Sequence, residues 1–173
     1  SKISAEDLLT FKSLFKEKHF IFISSTSVFS STQLIVDEDL KPTPITERSL
    51  RVFEQEELFT DKTIIRCSGL ISDTRHPIHS LIKKESPLAN QYINLIHIDD
   101  VIGIIKIVIE RQSFNTIIHA THINSFLKKD YYDQYSKKHG LNRVKFKEVP
   151  NKGKKVISNT LRDWNYSFIS DLF

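Results

Sequence analysis

Methionine and glycine are the residues whose scarcity says most about this chain. No methionine occurs among the 173 residues, so either Ser1 lies inside a longer reading frame or methionines are missing from the sequence as given. The four glycines stand far apart, at positions 69, 103, 140 and 153. A dinucleotide-binding turn needs clustered glycines, because only then can the backbone approach a pyrophosphate closely. The sequence contains no such cluster.

The chain also has few cysteines and no long apolar run. The single cysteine, Cys67, lies in an apolar segment, so we expect a small buried hydrophobe rather than a disulfide or a nucleophile. No run approaches 18 successive apolar residues, and no charged-then-apolar signal peptide opens the chain. We therefore expect a cytoplasmic protein without a membrane partner.

The positive charge of the chain is modest and dispersed. The net charge is +4, and the lysines form only short clusters that are not interleaved with aromatic residues. Proteins that bind nucleic acid combine basic residues with stacking aromatics or concentrate them on one face. We therefore expect a solvated surface and no nucleic-acid partner.

What the chain does contain is a strongly apolar segment that runs into hydroxyl groups, at residues 20–29. A short unbroken apolar run is typical of a parallel strand buried on both faces. Open α/β sheets place their ligand crevice at the carboxyl ends of such strands, where Ser24, Ser25, Thr26 and Ser27 would lie. These residues alone fit a Ser-rich turn equally well.

Apolar periodicity predicts alternating helices and strands, and hence an α/β fold. Helices are expected after a Ser4 cap, over 47–59 with Leu50 and Phe53 turned inward, from Asp99 or Asp100 onward, from Asn124 or Ser125 to His139, and over 159–164. Strands are expected at the start of 20–29 and over 62–67, 92–98, 116–120 and 144–149. The loops are 30–46 and 72–92, the second with one helical turn around 78–83.

Four segments carry a family resemblance. Ile-Ser-Ser-Thr-Ser-Val-Phe at 23–29 resembles the Ser-Ser-x-x-Val-Tyr-Gly end of the fourth strand in extended short-chain dehydrogenase/reductases, the nucleotide-sugar epimerase/dehydratase group. Segments 37–44 and 65–71 resemble the following link and fifth strand, and 94–101 resembles the specific x-x-x-His-Val-x-Asp-Val signature. The resemblance implies part of a Rossmann-like parallel sheet with flanking helices over 1–125, with a substrate loop at 72–92. Residues 126–173 would form a small C-terminal α/β subdomain.

The resemblance also implies a cofactor, a substrate and catalytic positions. The cofactor would be NAD or NADP and the substrate small and polar or sugar-like. Ser25 falls at the hydroxyl position that orients substrate, whereas the catalytic Tyr and Lys positions fall at Glu47 and Arg51. A carboxylate cannot act as a tyrosinate does, and arginine stays protonated, although it can hydrogen-bond a ribose. Whether the protein is an enzyme is therefore left open.

The same resemblance implies the remaining site residues. Cofactor contacts are expected at Ser24, Ser25, Arg51 and Ser68, and substrate contacts at Arg75, His76 and Asn94. Arg75-His76-Pro77 resembles the Gly-Arg-His-Pro of atypical members, several of which carry Ser-Glu-Arg where the chain has Thr46-Glu47-Arg48. His97, His119 and His122 are interpreted as structural, and no metal is expected.

Two alternatives and one partner follow from the missing glycine-rich turn. The protein could be a non-catalytic dinucleotide-binding regulator, or a truncated chain without independent activity. In the family, the strand at 20–24 pairs with a strand of the glycine-rich half. We therefore expect this strand to be an exposed edge that associates with itself or with the missing segment.

Overall fold

The computed structural model describes residues 4–14, 18–58 and 62–173. The helices are α1 Ala5–Leu14, α2 Glu47–Glu57, α3 Ile78–Leu81, α4 Ile98–Glu110, α5 Lys128–His139 and α6 Asn159–Asp163. The strands are β1 Phe20–Ser25, β2 Ile35–Val36, β3 Lys62–Cys67, β4 Gly69–Ile71, β5 Leu88–Ala89, β6 Tyr92–Ile93, β7 Leu95–His97, β8 Ile117–Ala120, β9 Phe126–Leu127, β10 Phe146–Lys147 and β11 Lys155–Val156. The fold is α/β, with parallel strands and flanking helices, as the sequence predicts.

The main sheet has three parallel strands in the order β1-β3-β8. Strand β3 lies in the middle, and five of its six residues are buried. One face packs against α4, where Ile65 and Ile118 meet Ile104 and Val108. These aliphatic side chains remove apolar surface from water, which is the main force that holds helix and sheet together.

Strand β1 is less covered than its apolar sequence predicts. It pairs with β3, and the described residues provide no strand on its other side. Ile23 is 49% exposed, which contradicts burial on both faces but agrees with the edge position that we expect for this strand. A strand with neighbours on one side only leaves part of its surface in water, and β1 is therefore an edge strand.

The residues after position 125 return to pair with earlier parts of the chain. Strands β9, β10 and β11 pair with β6, β5 and β2, respectively. Tyr131 and Tyr132 of α5 share a core cluster with Ile71 and Ile78, which lie before position 125. The domain boundary at 125 stays a prediction, and core packing runs across it. No helix within the described ranges combines the length and apolarity that crossing a membrane requires.

One predicted helix start and one predicted helix cap are wrong for reasons visible in the contacts. Helix α5 starts at Lys128 rather than at Asn124 or Ser125, because residues 126–127 pair with β6. Helix α4 is capped by His97 rather than by Asp99 or Asp100, since the Asp99 amide donates to His97 Nδ1 at 3.3 Å.

Other local expectations have mixed outcomes. The predicted strand at 92–98 is two strands with different partners, and β2 lies in the expected 30–46 loop. Leu50 is exposed, whereas Phe53 packs beside a small core. Gly140 ends α5 in the left-handed conformation at φ 62°, as expected. Phe59, at the predicted end of α2, lies outside the described residues.

Replacing Gly103 with alanine should destabilise the protein. A methyl group there would lie 2.5 Å from the Tyr166 hydroxyl and 3.0 Å from Ile169 Cδ1. We expect the free-energy cost of this overpacking to exceed the gain from alanine's better helix propensity. The free energy of unfolding in urea should fall by about 1–2 kcal/mol. Lys106→Ala, at an exposed position of the same helix, should change little. The Gly103→Ala cost should fall in a Tyr166→Phe background, and an unchanged cost would contradict this packing.

Candidate functional site

Ser25 lies where β1 ends and the chain turns. Its hydroxyl oxygen accepts a hydrogen bond from the Ser27 amide at 3.1 Å and so caps a 3-10 turn over Thr26–Val28. Ser25 is half-buried, and the hydroxyl proton has no acceptor among the described residues. The side chain can therefore still donate to a ligand at the carboxyl edge of the sheet.

Ser24 points to the opposite face of β1, into a buried ionic network. Its hydroxyl donates to Glu56 of α2, and Arg66 of β3 donates to the same carboxylate through Nη2 at 2.7 Å and Nε at 3.1 Å. All three residues are buried. The Ser24 hydroxyl is thus engaged inside the protein, below the edge where a cofactor contact was expected.

Ser68 and Asn94 lie together beyond the end of β3. The amide of Gly69, next to Ser68, donates to the Asn94 carbonyl at 2.9 Å. The Ser68 hydroxyl is buried and has no hydrogen-bond partner among the described residues. The Asn94 side chain donates to the Lys154 carbonyl at 3.0 Å and accepts from the Val156 amide at 2.8 Å. Asn94 therefore fastens β11 to this edge of the sheet.

Lys154 is a residue of this region that the sequence did not single out. Its ammonium donates to the carbonyls of Thr26 and Phe29, the second at 2.7 Å, and so contacts the turn that Ser25 caps. Burial lowers the pKa of Lys154 to about 8. The only sequence signal was a basic loop at 151–155, which normally indicates solvated surface.

Glu47 and Arg51 form an ion pair on the first turn of α2. The side chains are 80% and 54% exposed, respectively. Thr46 caps the helix, and its hydroxyl accepts from the Ser49 amide at 3.1 Å. The pair has the spacing and exposure of an ordinary surface i, i+4 pair, which contributes little to stability.

His76 lines a cleft of about 600 Å³, and Arg75 precedes it in the chain. His76 contributes to the lining of the cleft, to which none of Ser25, Ser68 and Asn94 contributes. Arg75 is exposed, whereas His76 is buried. The structure thus brings Ser25, Ser68 and Asn94 to one edge of the sheet and places Arg75 and His76 apart from them.

The His76 side chain is held by a chain of hydrogen bonds. Its Nδ1 accepts from the Ile78 amide at 3.3 Å, so the neutral ring carries its proton on Nε2. Nε2 then donates to the Tyr131 hydroxyl at 2.9 Å, which donates to the Leu172 carbonyl at 2.7 Å. The ring also stacks on Tyr135 at 3.8 Å. Burial is the main cause that lowers the pKa of His76 to about 4.

The remaining histidines show no metal-binding arrangement in the described part of the chain. His119 is completely buried, and its Nδ1 lies 3.2 Å from the Ile157 carbonyl. His97 lies 2.9 Å from the Ser170 hydroxyl through Nδ1.

Comparison with known proteins gives relatives that are longer than this chain. No protein-family model matches it. Protein YeeZ of Escherichia coli strain K12 is 31% identical over 147 residues, which are 81% of this chain and 53% of that protein. The chain therefore spans about half the length of this curated relative.

Solved structures match over nearly the whole chain. A putative NAD-dependent epimerase/dehydratase from Methylobacillus flagellatus superposes with a TM-score of 0.82 at 24% identity, over 96% of this chain and 65% of that one. UDP-glucuronic acid 4-epimerase from Bacillus cereus in complex with NAD gives a TM-score of 0.75 at 21% identity, over 96% of this chain and 61% of that one. Over most of its length, the chain has the fold of NAD-dependent epimerase/dehydratase structures.

Proposed function

We propose that this chain supplies the substrate side of a NAD- or NADP-dependent protein of the extended short-chain dehydrogenase/reductase type. The observation that carries the proposal is that Ser25 pairs in register with Cys67, next to Ser68, at the carboxyl ends of parallel strands, where the Gly69 amide donates to the Asn94 carbonyl. The fold neighbours include an epimerase solved with NAD. Open α/β sheets bind ligands at this edge. The whole protein would act on, or sense, a small polar or sugar-like molecule in the cytoplasm.

The donors of this chain suit one end of a dinucleotide. Ser25 and Ser68 would hold the nicotinamide ribose, a set to which the family resemblance adds Arg51, and the bound cofactor would supply hydride transfer. The pyrophosphate would need a glycine-rich turn, and the four glycines of this chain are scattered. The binding site for the rest of the cofactor would therefore come from outside these 173 residues.

A dinucleotide-binding regulator is the second candidate, and the Glu47–Arg51 pair favours it. The two side chains satisfy each other at the surface, at the positions where the resemblance places the catalytic Tyr and Lys. No proton-transfer role is apparent for a carboxylate held in this way. Turnover by the whole protein separates the two candidates, since a regulator would bind dinucleotide without consuming it.

We expect the 173-residue chain alone to bind neither NAD nor NADP in calorimetry up to about 1 mM, because contact with one ribose gives too little surplus over the cost of association. A longer protein that joins this chain to a glycine-rich dinucleotide-binding segment, called the extended protein below, should bind one of them at micromolar concentration. Binding by the isolated chain at micromolar concentration would overturn the proposed division of the cofactor site.

Ser25→Ala tests the enzymatic form of the proposal in the extended protein. We expect turnover of a UDP-sugar probe such as UDP-glucuronic acid to fall about 10²-fold, because the hydroxyl orients the reacting group. The free energy of unfolding should change by less than about 1 kcal/mol, as is usual for mild substitutions. Ser27→Ala, on the same turn, is the matched control. Equal turnover in the Ser25→Ala variant of an active enzyme would exclude this role.

The exposed edge of β1 predicts association. We expect the chain to form dimers or larger species in sedimentation velocity at tens of micromolar, and Ile23→Lys to shift it toward monomer, because an edge lysine blocks strand pairing. Ile109→Lys places the same charge at another exposed isoleucine, on α4, and should leave association unchanged. Equal effects of the two substitutions would show that association does not use this edge.

A further inference from the structure

A second cavity, of about 430 Å³, lies beyond the carboxyl end of β8, and none of Ser25, Ser68 and Asn94 lines it. Its walls come from the segment after β8, from residues 156–158, from α6 and from residues 165–168. Leu161, Tyr166 and Phe168 supply apolar and aromatic surface. This volume is within the range of pockets that hold small organic ligands.

The polar groups of this cavity are mainly donors. Arg162 and His122 contribute to the lining, which contains no aspartate or glutamate. The cleft beside His76, in contrast, is lined by Asp73, Asp99 and Asp171. The two cavities thus differ in the sign of the charge that their side chains carry.

Arg162 retains donors for a ligand. Its Nη2 donates to Asn159 Oδ1 at 3.0 Å. Its Nε lies 3.8 Å from the Asp163 carboxylate, and this ion pair is long and exposed. A guanidinium has five N–H donors in a fork that matches a carboxylate, so these contacts leave the fork incompletely used.

His122 adds a directed donor. Its Nδ1 accepts from the Asn124 amide at 3.2 Å, so the neutral ring carries its proton on Nε2. Nε2 has no acceptor among the described residues, and the ring packs against Phe168 at 4.4 Å. Burial lowers the pKa of His122, so the positive charge of the cavity at neutral pH is that of Arg162.

We propose that this cavity binds a small organic carboxylate with a planar apolar body, whose carboxylate pairs with Arg162 and whose body lies against Phe168. The apolar walls select the body, and a lining that contains a guanidinium and no carboxylate selects the anion. This inference is independent of the proposed function, because the cavity shares no lining residue with the edge formed by Ser25, Ser68 and Asn94.

Titrations followed by ¹⁵N NMR of the 173-residue chain can separate the contribution of the carboxylate to binding from that of the apolar body. The three probes are benzoate, its neutral isostere benzamide, and acetate. We expect benzoate to shift the amides of residues 121–123 and 165–168 saturably at millimolar concentration. Benzamide and acetate should each bind about fivefold to tenfold more weakly, because each lacks one of the two recognised features. Equal binding of acetate and benzoate would reduce the site to a simple anion contact and overturn the proposal, as would the absence of saturable shifts.

Arg162→Gln tests the anion contact. Because Arg162 is exposed, the variant should keep the melting temperature of the parent. We expect its affinity for benzoate to fall to that for benzamide, while benzamide binding is unchanged. Arg143→Gln removes an exposed arginine outside the lining and should leave both affinities as they were. Unchanged benzoate binding by Arg162→Gln would overturn the assignment.

Discussion

Replacing Glu56 with alanine is expected to lower the free energy of unfolding by about 3–5 kcal/mol. Glu56 and Arg66 are both buried, and Arg66 donates to the carboxylate through Nη2 and Nε. Removal of the carboxylate leaves a guanidinium without a counter-ion in the interior, and the Ser24 hydroxyl loses its acceptor as well. The charge cannot be relieved by deprotonation, because arginine stays protonated in proteins. Urea unfolding followed by circular dichroism measures the loss.

The chain offers a matched control for this experiment. Glu47 lies on the same helix as Glu56 and also pairs with an arginine, Arg51, but at the surface. Glu47→Ala should therefore change the stability by less than about 1 kcal/mol. Substituting both buried partners, as Glu56→Leu with Arg66→Met, should recover most of the loss, since an apolar pair of similar volume avoids the desolvation penalty. If Glu56→Ala lowered the free energy of unfolding no more than Glu47→Ala does, the buried pair would not stabilise the fold more than a surface pair, contrary to this prediction.

The sequence predicted the main sheet because its strands are four to six residues long and each contains consecutive apolar residues. The predicted strand at 62–67 has the bounds of β3, and that at 116–120 differs from β8 by one residue. The buried ion pair could not be predicted in the same way. Charged residues in a helix normally indicate a solvated face, and nothing in the sequence singles out Glu56. Only the three-dimensional arrangement places it opposite Arg66.

The small sheets were beyond prediction for a different reason. Each is a pair of strands of two or three residues, too short for alternation or periodicity to be read. Their partners are also far apart in sequence: β2 pairs with β11 across about 120 residues. The wrong start of α5 follows from one such pairing, because β9 occupies the residues where the helix was expected.

The candidate site could be predicted in part. Ser25 follows an apolar strand, and strand ends of this kind mark the ligand edge of an α/β sheet, so its place was accessible from sequence. Lys154 reaches the same turn from a loop 128 residues away. Nothing in a run of lysines distinguishes the one that becomes half-buried. The separation of Arg75 and His76 from Ser25 is also a tertiary feature, since β4 leads the chain away from the end of β3.

Lowering the pH from 6.5 to 4 is expected to remove about 2–3 kcal/mol of stability through His76. The pKa of the His76 imidazole is lowered to about 4 in the folded protein, mainly by burial, whereas an unfolded chain titrates near the ordinary value of 6.5. Between these values the unfolded state binds the proton more tightly, so stability falls as the pH falls. Well above pH 6.5 His76 is neutral in both states, and the free energy of unfolding keeps its full value. Well below pH 4 the ring is protonated in both states, and lowering the pH further costs no more stability through His76. Buried His119, whose pKa is also lowered by burial, adds to the same trend.

His76→Phe isolates the contribution of this one ring. Phenylalanine keeps an aromatic ring beside Tyr135 but cannot titrate and cannot donate to Tyr131. At pH 7.5 we expect the variant to be less stable than the parent, because the Tyr131 hydroxyl loses its donor. This difference should shrink by about 2–3 kcal/mol by pH 4, since only the parent carries the His76 ring, whose protonation favours unfolding, whereas His119 acts equally in both proteins. His79→Gln, at an exposed histidine of the same cleft, should alter the pH dependence much less. Parallel stability curves for the parent and His76→Phe, measured by urea unfolding at half-unit steps of pH, would show that the ring titrates normally and that its burial does not hold it neutral.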